Sequence, residues 1–203
     1  MSATGTARDH VDPAALGQLF TDAHTTYGFQ DTPVSDETLH TIYDVMRLAP
    51  TSLNAQPLRI TYVRGAAKDR LIPLLGEGNR AKTTSAPVAA ILAYDHDFHE
   101  HLSTINPRIA DPAAMFADAD GRHSFGRLNG AIQVGYFIIA ARAAGLDVGP
   151  MAGFDNAAVD AEFFADTAFR SLVVANLGYA APDGQQPRNP RLESHQVFTI
   201  VNS

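Results

Sequence analysis

Four short segments of this 203-residue sequence concentrate side chains that can hydrogen-bond, bind an anion or bring backbone close to a ligand. The segment APTSLNAQP, residues 49–57, places hydroxyl groups at Thr51 and Ser52 and amides at Asn54 and Gln56, between two prolines. A turn uses one or two such residues, so this loop has more hydrogen-bonding capacity than its own backbone needs. We therefore predict that the loop binds a polar ligand.

Two further segments carry the charged groups of this set. GNRAK, residues 78–82, holds Asn79 and Lys82 three positions apart, hence on one face of a helix. RNPR, near the C-terminus, holds the close arginine pair Arg188 and Arg191. A guanidinium group suits a phosphate, because its N–H groups form a planar fork that matches the phosphate oxygens.

The fourth segment, GPMAGFD at residues 149–155, can bring backbone close to a ligand, because Gly149 and Gly153 have no Cβ. Each of the four segments alone is also typical of an ordinary loop, helix face, turn or solvated tail. Together they supply hydroxyl and amide groups, backbone N–H donors, a lysine and two guanidinium groups. That set fits a heteroaromatic ring, a polyhydroxyl chain and a phosphate, which are the three parts of FMN.

The apolar patterns around these segments predict an α+β fold, with a small sheet and helices around it. Helices are predicted from Asp12 onward, from Ser35 to Pro50, over 66–75 with an interruption at Pro73, over 124–144 and over 156–164. Strands are predicted over 58–64, 87–94 and 171–179. Residues 95–120 have no clear period and indicate an excursion with one or two short helices. We interpret residues 1–203 as one domain, with a loose start over 1–11 and a variable region over 95–127.

Composition narrows the classes of partner. A formal net charge of −7 and the absence of a Lys/Arg cluster argue against nucleic acid and anionic membranes. No apolar run approaches the roughly 20 residues of a membrane span. The first thirty residues lack a signal-peptide pattern, so we expect a cytoplasmic protein. Charged residues make up 18% of the chain, which indicates either a surface covered by a partner or an alanine-rich core.

Metal-ligating residue types occur together in DHDFHEH, residues 95–101, but this stretch has the polarity of an exposed loop and no other ligand cluster supports it. DADG at 118–121 resembles part of a calcium loop, yet Phe116 and Arg127 stand where that loop needs acidic residues. The sequence has no cysteine and no Gly-x-Ser-x-Gly or Walker motif. We therefore expect no metal site, and we expect a bound cofactor to supply the chemistry if the protein is an enzyme.

In their order along the chain, TPVSDETLHTIYDVMRLAPTSLNAQPLRITYVR and ARAAGLDVGPMAGFD make this sequence resemble the nitroreductase family of FMN-dependent oxidoreductases. The resemblance runs from about Leu16 to Leu192 and extends to the branch that contains malonic semialdehyde reductases. It implies a small, mostly antiparallel sheet surrounded by helices, in an intertwined homodimer with two FMN sites at the interface. It also implies NAD(P)H as the hydride donor.

The resemblance leaves several functions open. The acceptor is expected to be a small aldehyde, such as malonic semialdehyde giving 3-hydroxypropionate, or alternatively a nitroaromatic compound or a quinone. The variable region over 95–127 is expected near the acceptor side. Two other classes remain: a flavin-binding protein without turnover, and a flavin-free interaction protein that has kept the dimeric fold.

The resemblance also implies roles for individual residues. Expected at the ribityl chain or ring edge of the FMN held mainly by the partner subunit are Thr51, Ser52, Asn54 and Gln56. We expect Asn79 and Lys82 along the polar edge of the ring. We expect Met151, Ala152 and Gly153 against the ring, with backbone N–H groups directed at N5 and O4. Expected at the phosphate are Arg188 and Arg191. No side chain is expected to act as a catalytic acid or base, because N5 of the flavin carries the chemistry.

The N-terminal segment departs from the family pattern. Where the family has Arg-Ser/Thr-x-Asn/Arg, this sequence has His24, Thr25, Thr26 and Tyr27. We expect His24, Thr25 and Tyr27 at the cofactor, because the family's segment reaches the phosphate and the ribityl chain. A permanent charge is thereby replaced by a titratable one, so either His24 binds the phosphate or the cofactor is held differently.

Overall fold

A four-stranded antiparallel sheet forms the centre of the structure, a computed structural model that describes residues 9–202. The strands are β1 (Leu58–Val63), β2 (Val88–Asp95), β3 (Asp147–Met151) and β4 (Phe169–Gly178). Their order across the sheet is β1–β2–β4–β3. Strand β2 is buried along its whole length because it lies inside the sheet and is covered on both faces. Sheet and helices together confirm the predicted α+β fold.

Helices surround this sheet. They are α1 (Pro13–Leu16), α2 (Asp36–Met46), α3 (Ala66–Leu71), α4 (Glu77–Ser85), α5 (Leu102–Ile105), α6 (Pro112–Met115), α7 (Ala119–Ala143), α8 (Asn156–Phe163) and α9 (Ser194–Val197). Helices α2 and α7 cover one face of the sheet, where Ile42 and Phe137 belong to one apolar cluster. Helices α3 and α8 cover the other face, where Leu71 and Val159 belong to a second cluster.

The region between β2 and α7 forms a third apolar cluster. The Phe98 and Phe125 rings stack with their centroids 5.4 Å apart, and Phe116 packs edge-on against both. Ala55, from the loop before β1, lies in the same cluster. The predicted variable region therefore packs against the loop of residues 51–56 through Ala55.

The structure differs from the predicted elements at several places. The long helix α7 begins at Ala119 rather than at residue 124, because the Asp118 carboxylate accepts a hydrogen bond from the Gly121 N–H at 2.7 Å and caps the helix. Helix α1 ends at Leu16, where a π-helical turn over Gly17–Thr21 follows. Helix α4 was given no bounds from the sequence, although GNRAK was placed on a helix, and β3 and α9 were not assigned. Helix α4 is polar and buries only Thr83, so it has no apolar stripe, and Gly149 and Pro150 interrupt the strand pattern in β3. The predicted loose start falls mostly on residues 1–8, which lie outside the described residues.

The segment before α2 is held beside β3. The Thr26 N–H donates to the Val148 carbonyl at 3.1 Å, and the Tyr27 N–H donates to the Gly184 carbonyl at 2.7 Å. A Cβ at Gly149 would clash with the Thr26 carbonyl oxygen, so this close approach requires glycine. The N-terminal segment, β3 and the chain after β4 are thus fixed next to one another.

The exposed apolar side chains within residues 9–202 include two groups on neighbouring positions of the chain or of one face. The C-terminal tail, residues 192–202, exposes 59–89% of the surface of Leu192, Val197, Phe198, Ile200 and Val201. A second group lies on α2 and α7, at Tyr43, Val45, Leu128 and Ile132. Exposed apolar surface of this extent is typical of a region that a partner covers. None of the helices within residues 9–202 combines the length and the apolar character that a membrane crossing requires.

Candidate functional site

A cavity of about 270 Å³ lies where the N-terminal segment, α4 and the end of β3 meet. We call it the lysine cavity. Its lining includes seven of the residues predicted for the site: Thr25, Tyr27, Asn79, Lys82, Met151, Ala152 and Gly153. The structure therefore brings together side chains that are more than 120 positions apart in the sequence.

The Asn79 amide orients the lysine of this cavity. Its Nδ2 donates to the Gly153 carbonyl at 2.9 Å, and its Oδ1 accepts from Lys82 Nζ at 3.2 Å. A carbonyl only accepts and an ammonium group only donates, so no other orientation of the amide satisfies both partners. The Lys82 ammonium also lies 4.5 Å from the centroid of the Tyr27 ring. Lys82 is thereby held at the cavity wall with N–H groups left for a ligand.

The backbone after β3 supplies further donors. Among the hydrogen bonds of residues 9–202, none is donated by the N–H groups of Ala152 and Gly153, and both residues are exposed. A Cβ added at Gly153 would lie 3.0 Å from Asn79 Nδ2, so glycine lets the Asn79 amide lie against the backbone at this position. An acceptor-rich edge of a flat ring fits such a wall of N–H donors, an amide and a lysine.

A second cavity, of about 490 Å³, adjoins the first, and Thr25 and Tyr27 line both. We call it the arginine cavity. Its positively charged side chains are Arg142, Arg188 and Arg191, and His24 lies beside them. The described residues that line it include no carboxylate, although the chain as a whole has a net charge of −7. Such a concentration of guanidinium groups without a counter-charge suits a phosphate.

Arg188 and Arg142 are both fixed by backbone carbonyls. Arg188 Nη2 lies 2.8–3.2 Å from the carbonyl oxygens of Phe20, Thr21 and Ala23. Arg142 Nη1 donates to the Leu19 carbonyl at 2.8 Å. Burial, followed by the charge of Arg188, lowers the pKa of the Arg142 guanidinium, and Asp147 partly opposes this. Both side chains stay charged at neutral pH, so an anion between them would relieve their mutual repulsion.

Arg142 was not predicted from the sequence. It is the basic residue in the last turn of α7, which is otherwise apolar there. A lone charge in an apolar stretch was the sequence signal that could have indicated a functional residue. Arg191, which was predicted, lines the arginine cavity while its Nη1 donates to the Asn189 carbonyl at 2.7 Å.

His24 lines the arginine cavity with one ring nitrogen already engaged. Its Nδ1 lies 2.9 Å from the Gln186 carbonyl oxygen. Because a carbonyl oxygen only accepts, Nδ1 carries a hydrogen, and a neutral His24 therefore has an unprotonated Nε2. Contact between Nε2 and an anion requires a second proton on the ring.

The predicted loop residues Thr51, Ser52, Asn54 and Gln56 lie elsewhere in the chain, and none of them lines the lysine or the arginine cavity. The Ser52 N–H donates to Asn129 Oδ1 and Asn54 Nδ2 donates to the Ile105 carbonyl, both at 2.8 Å. Gln56 lines a separate groove of about 1150 Å³ between α2 and β1. Within one chain, the structure therefore does not bring this loop to the other predicted site residues.

The same loop has an unusual backbone. Leu53, Asn54 and Gln56 have positive φ angles of 57°, 58° and 43°. Non-glycine residues adopt this region at a cost, and such residues cluster where a fixed loop shape serves binding. The loop is thus held in a defined shape although it contacts neither cavity of its own chain.

No group of three or more metal-ligating side chains occurs within residues 9–202. In the stretch 95–101, the Asp95 carboxylate instead accepts a hydrogen bond from Arg59 Nη2 at 2.7 Å, in a largely buried ion pair.

Fold and cavities define a class of protein: an α+β domain with two joined cavities, suited to a flat heteroaromatic ring at one end and a phosphate at the other. The nitroreductase family model matches residues 21–179. A protein of Leptothrix cholodnii with the provisional name NADH dehydrogenase/NAD(P)H nitroreductase is 52% identical over 193 residues, which cover 94% of this chain and 98% of that protein. The chain belongs to the nitroreductase family.

Solved structures agree with this assignment. The provisionally named nitroreductase ydfN of Bacillus subtilis superposes with a TM-score of 0.83 at 19% identity, over 93% of this chain and 99% of that one. A provisionally named nitroreductase of Exiguobacterium sibiricum, solved in complex with FMN, gives a TM-score of 0.80 at 18% identity, over 97% of this chain and all of that one. The expected family, fold and enzyme class are confirmed, and FMN in that neighbour agrees with the expected cofactor.

Proposed function

We propose that this protein is an FMN-dependent NAD(P)H oxidoreductase, and the observation that carries the proposal is the pair of joined cavities. The lysine cavity offers N–H donors, an amide and an ammonium group, and the arginine cavity offers three guanidinium groups. FMN, when bound, accepts two electrons from NAD(P)H and passes them to an acceptor.

In this proposal the residues of the chain bind and tune the cofactor. The N–H groups of Ala152 and Gly153 donate to acceptor atoms on the ring. Lys82, oriented by Asn79, would favour the negative charge that the ring gains on reduction, because its own positive charge is held at the cavity wall. Arg142, Arg188, Arg191 and His24 hold the phosphate.

We further propose a homodimer in which each chain completes the cofactor site of the other. Two observations support it: the rigid loop with Thr51, Ser52 and Asn54 contacts neither cavity of its own chain, and apolar side chains are exposed along the C-terminal tail and on α2 and α7. The loop, supported by the region between β2 and α7, would reach the partner's FMN. An interface of this kind should bury well over about 2,000 Å² in total.

Two acceptor classes remain alternatives in this proposal. The sequence resemblance favours a small aldehyde such as malonic semialdehyde, which takes up a hydride and a proton to give 3-hydroxypropionate. The name of the Leptothrix relative favours a nitro compound, which takes up two electrons and two protons to give a nitroso compound and water. We propose a cytoplasmic location, because the NAD(P)H that would drive either reaction is available there.

The purified protein should be yellow, and NADH or NADPH should bleach the flavin colour under anaerobic conditions. Adding an acceptor, or air, should restore the colour. A colourless protein that takes up no FMN on titration would contradict the proposed cofactor. A yellow protein that neither nucleotide bleaches would instead support the alternative of a flavin-binding protein without turnover.

FMN binding should weaken as pH rises from about 6 through neutrality, if His24 holds the phosphate. The physical reason is that Nδ1 already donates to Gln186, so phosphate binding at Nε2 requires the protonated ring. Below about pH 6 the phosphate takes up a proton itself, which limits the gain. Titration of apo-protein with FMN across this range measures the effect.

The matched variant is His24→Arg, which replaces a titratable charge by a fixed one. It should flatten the pH dependence and tighten FMN binding above neutrality. Identical pH profiles for the parent and for His24→Arg would mean that His24 does not contact the phosphate.

A further inference from the structure

A third cavity, of about 520 Å³, opens beside the lysine cavity, and Ala152 lines both. We infer that this side cavity binds an anionic group of the acceptor, a carboxylate or a group of similar charge and shape. The inference rests on the proposed function, because it concerns a molecule that meets the cofactor ring at Ala152. Its charged residues are Arg127 from α7, Arg170 from β4 and Asp160 from α8.

The two arginines of the side cavity lack carboxylate partners. Within residues 9–202, Arg127 makes no side-chain hydrogen bond or ion pair, and the Arg170 side chain donates only to the carbonyl of its neighbour Phe169, at 2.7 Å. Asp160 makes an ion pair with neither arginine, and its Oδ1 accepts from the Ser171 N–H at 2.9 Å. The cavity thus has an excess of positive charge on a chain whose net charge is −7.

Two further titratable groups of the side cavity, His96 and Tyr94, are uncharged at neutral pH. Burial, and next the charge of Arg122, lowers the pKa of His96. Burial raises the pKa of Tyr94, whose hydroxyl lies 2.7 Å from His123 Nδ1. The guanidinium groups of Arg127 and Arg170 supply the positive charge on which the inference rests.

The position of the side cavity separates its anion from the phosphate of FMN. The arginine cavity meets the lysine cavity at Thr25 and Tyr27, whereas the side cavity meets it at Ala152. A small molecule held by its anionic end at Arg127 and Arg170 can therefore place its other end beside the proposed ring site. That arrangement orients an acceptor without any catalytic acid or base.

The test compares para-nitrobenzoate with para-nitrobenzamide as acceptors for the FMN-loaded protein. The two have the same nitro group and almost the same size, but they differ by one charge. The parent should prefer the carboxylate by about 10- to 100-fold in kcat/KM, the usual range for a charge-assisted contact. Arg127→Gln and Arg170→Gln should each remove most of this preference, because kcat/KM should fall much more for the carboxylate than for the amide. Arg70→Gln, which removes the same charge from an exposed pair with Glu162, is the matched control and should change neither value.

A direct measurement of ligand affinity tests the side cavity without requiring the protein to turn over an acceptor. Calorimetric titration with benzoate, which is not reduced, should show binding to the parent and to Arg70→Gln, and much weaker binding to the two side-cavity variants; benzamide should bind all four proteins alike. Equal binding of benzoate and benzamide by the parent, or benzoate binding that survives both substitutions, would overturn the inference.

Two other results would point to a different role for the arginines or to a failure of the proposed function. If the side-cavity variants lose only a preference for NADPH over NADH, the arginines recognise the nucleotide phosphate and the inference about the acceptor is wrong. If neither nucleotide bleaches the flavin, the proposed function fails, and the benzoate titration still decides whether the side cavity binds an anion.

Discussion

Removing the C-terminal tail, residues 192–203, should convert the proposed dimer into monomers and release FMN. Five apolar side chains of the tail are 59–89% exposed on the isolated chain. Full burial of one such side chain is worth about 1.5–3 kcal/mol. One side chain from each of the two tails therefore contributes about 3–6 kcal/mol, which corresponds to a change of about 150- to 20,000-fold in the Kd of the dimer.

FMN should be lost with the dimer, because the loop of residues 51–56 would no longer reach the partner's cofactor. Light scattering across a concentration series measures the assembly, and visible absorbance after gel filtration measures the bound flavin. The paired substitution Phe198→Ser with Ile200→Ser should act in the same direction without shortening the chain. His195→Ser, at an exposed polar position of the same segment, is the matched control. A truncated protein that remains a yellow dimer would contradict the assigned role of the tail.

Replacing Arg142 by methionine should raise the Kd for FMN by about 10- to 150-fold. A hydrogen bond to a charged group contributes about 1.5–3 kcal/mol, and about 1.4 kcal/mol corresponds to a factor of ten. Methionine keeps the length and the apolar character of the half-buried side chain, so the last turn of α7 should stay packed. Quenching of FMN fluorescence on titration of the apo-protein measures the change.

Arg142 is a cleaner test of the phosphate site than Arg188. The Arg188 guanidinium also binds three carbonyls of the N-terminal segment, so Arg188→Ala would disturb that segment as well as the charge. Gln18→Met is the matched control for Arg142→Met, because it removes the 2.6 Å hydrogen bond from Gln18 Nε2 to the Arg142 carbonyl without removing a charge. Equal FMN affinity in Arg142→Met and Gln18→Met would exclude Arg142 from the phosphate site.

The sequence correctly predicts those helices and strands that a single local pattern marks. Strand β2 is a continuous apolar run, and α2 begins at its predicted start, where the Ser35 hydroxyl accepts from the Thr38 N–H at 3.1 Å. The first five residues of α7, 119–123, were missed because they are mostly polar and include Gly121, so no apolar pattern marks them. Further along α7, Gly126 and Gly130 are required, since a Cβ at either would lie 3.0 Å or less from Tyr94 atoms. Close packing of the helix on the sheet therefore outweighs its low helix propensity.

For the candidate site, the family resemblance supplies what local signals do not. Asn79 and Lys82, which the resemblance assigns to the flavin ring, both line the lysine cavity, although polar α4 has no apolar stripe. Arg142 and Arg188 are far apart in the sequence, but both line the arginine cavity because both bind carbonyls of the N-terminal segment. Their spacing in the sequence does not predict that they lie in one cavity. The loop with Thr51 was predicted as a binding loop; in the proposed dimer its target lies on the second chain, so a single chain does not bring it to the cofactor.

The Arg188 side chain joins segments that are 165 to 168 positions apart, since its guanidinium reaches from the C-terminal part of the chain to the carbonyls of Phe20, Thr21 and Ala23. The segment before α2 and the segment after β4 therefore converge on the proposed phosphate site. A ligand that binds only the folded state at 100 times its Kd adds about 2.7 kcal/mol of stability, and here it would also hold these two segments together against proteolysis. Protein made while flavin is scarce would be degraded faster than protein made while it is plentiful, so the cellular lifetime of the enzyme would follow the supply of its cofactor.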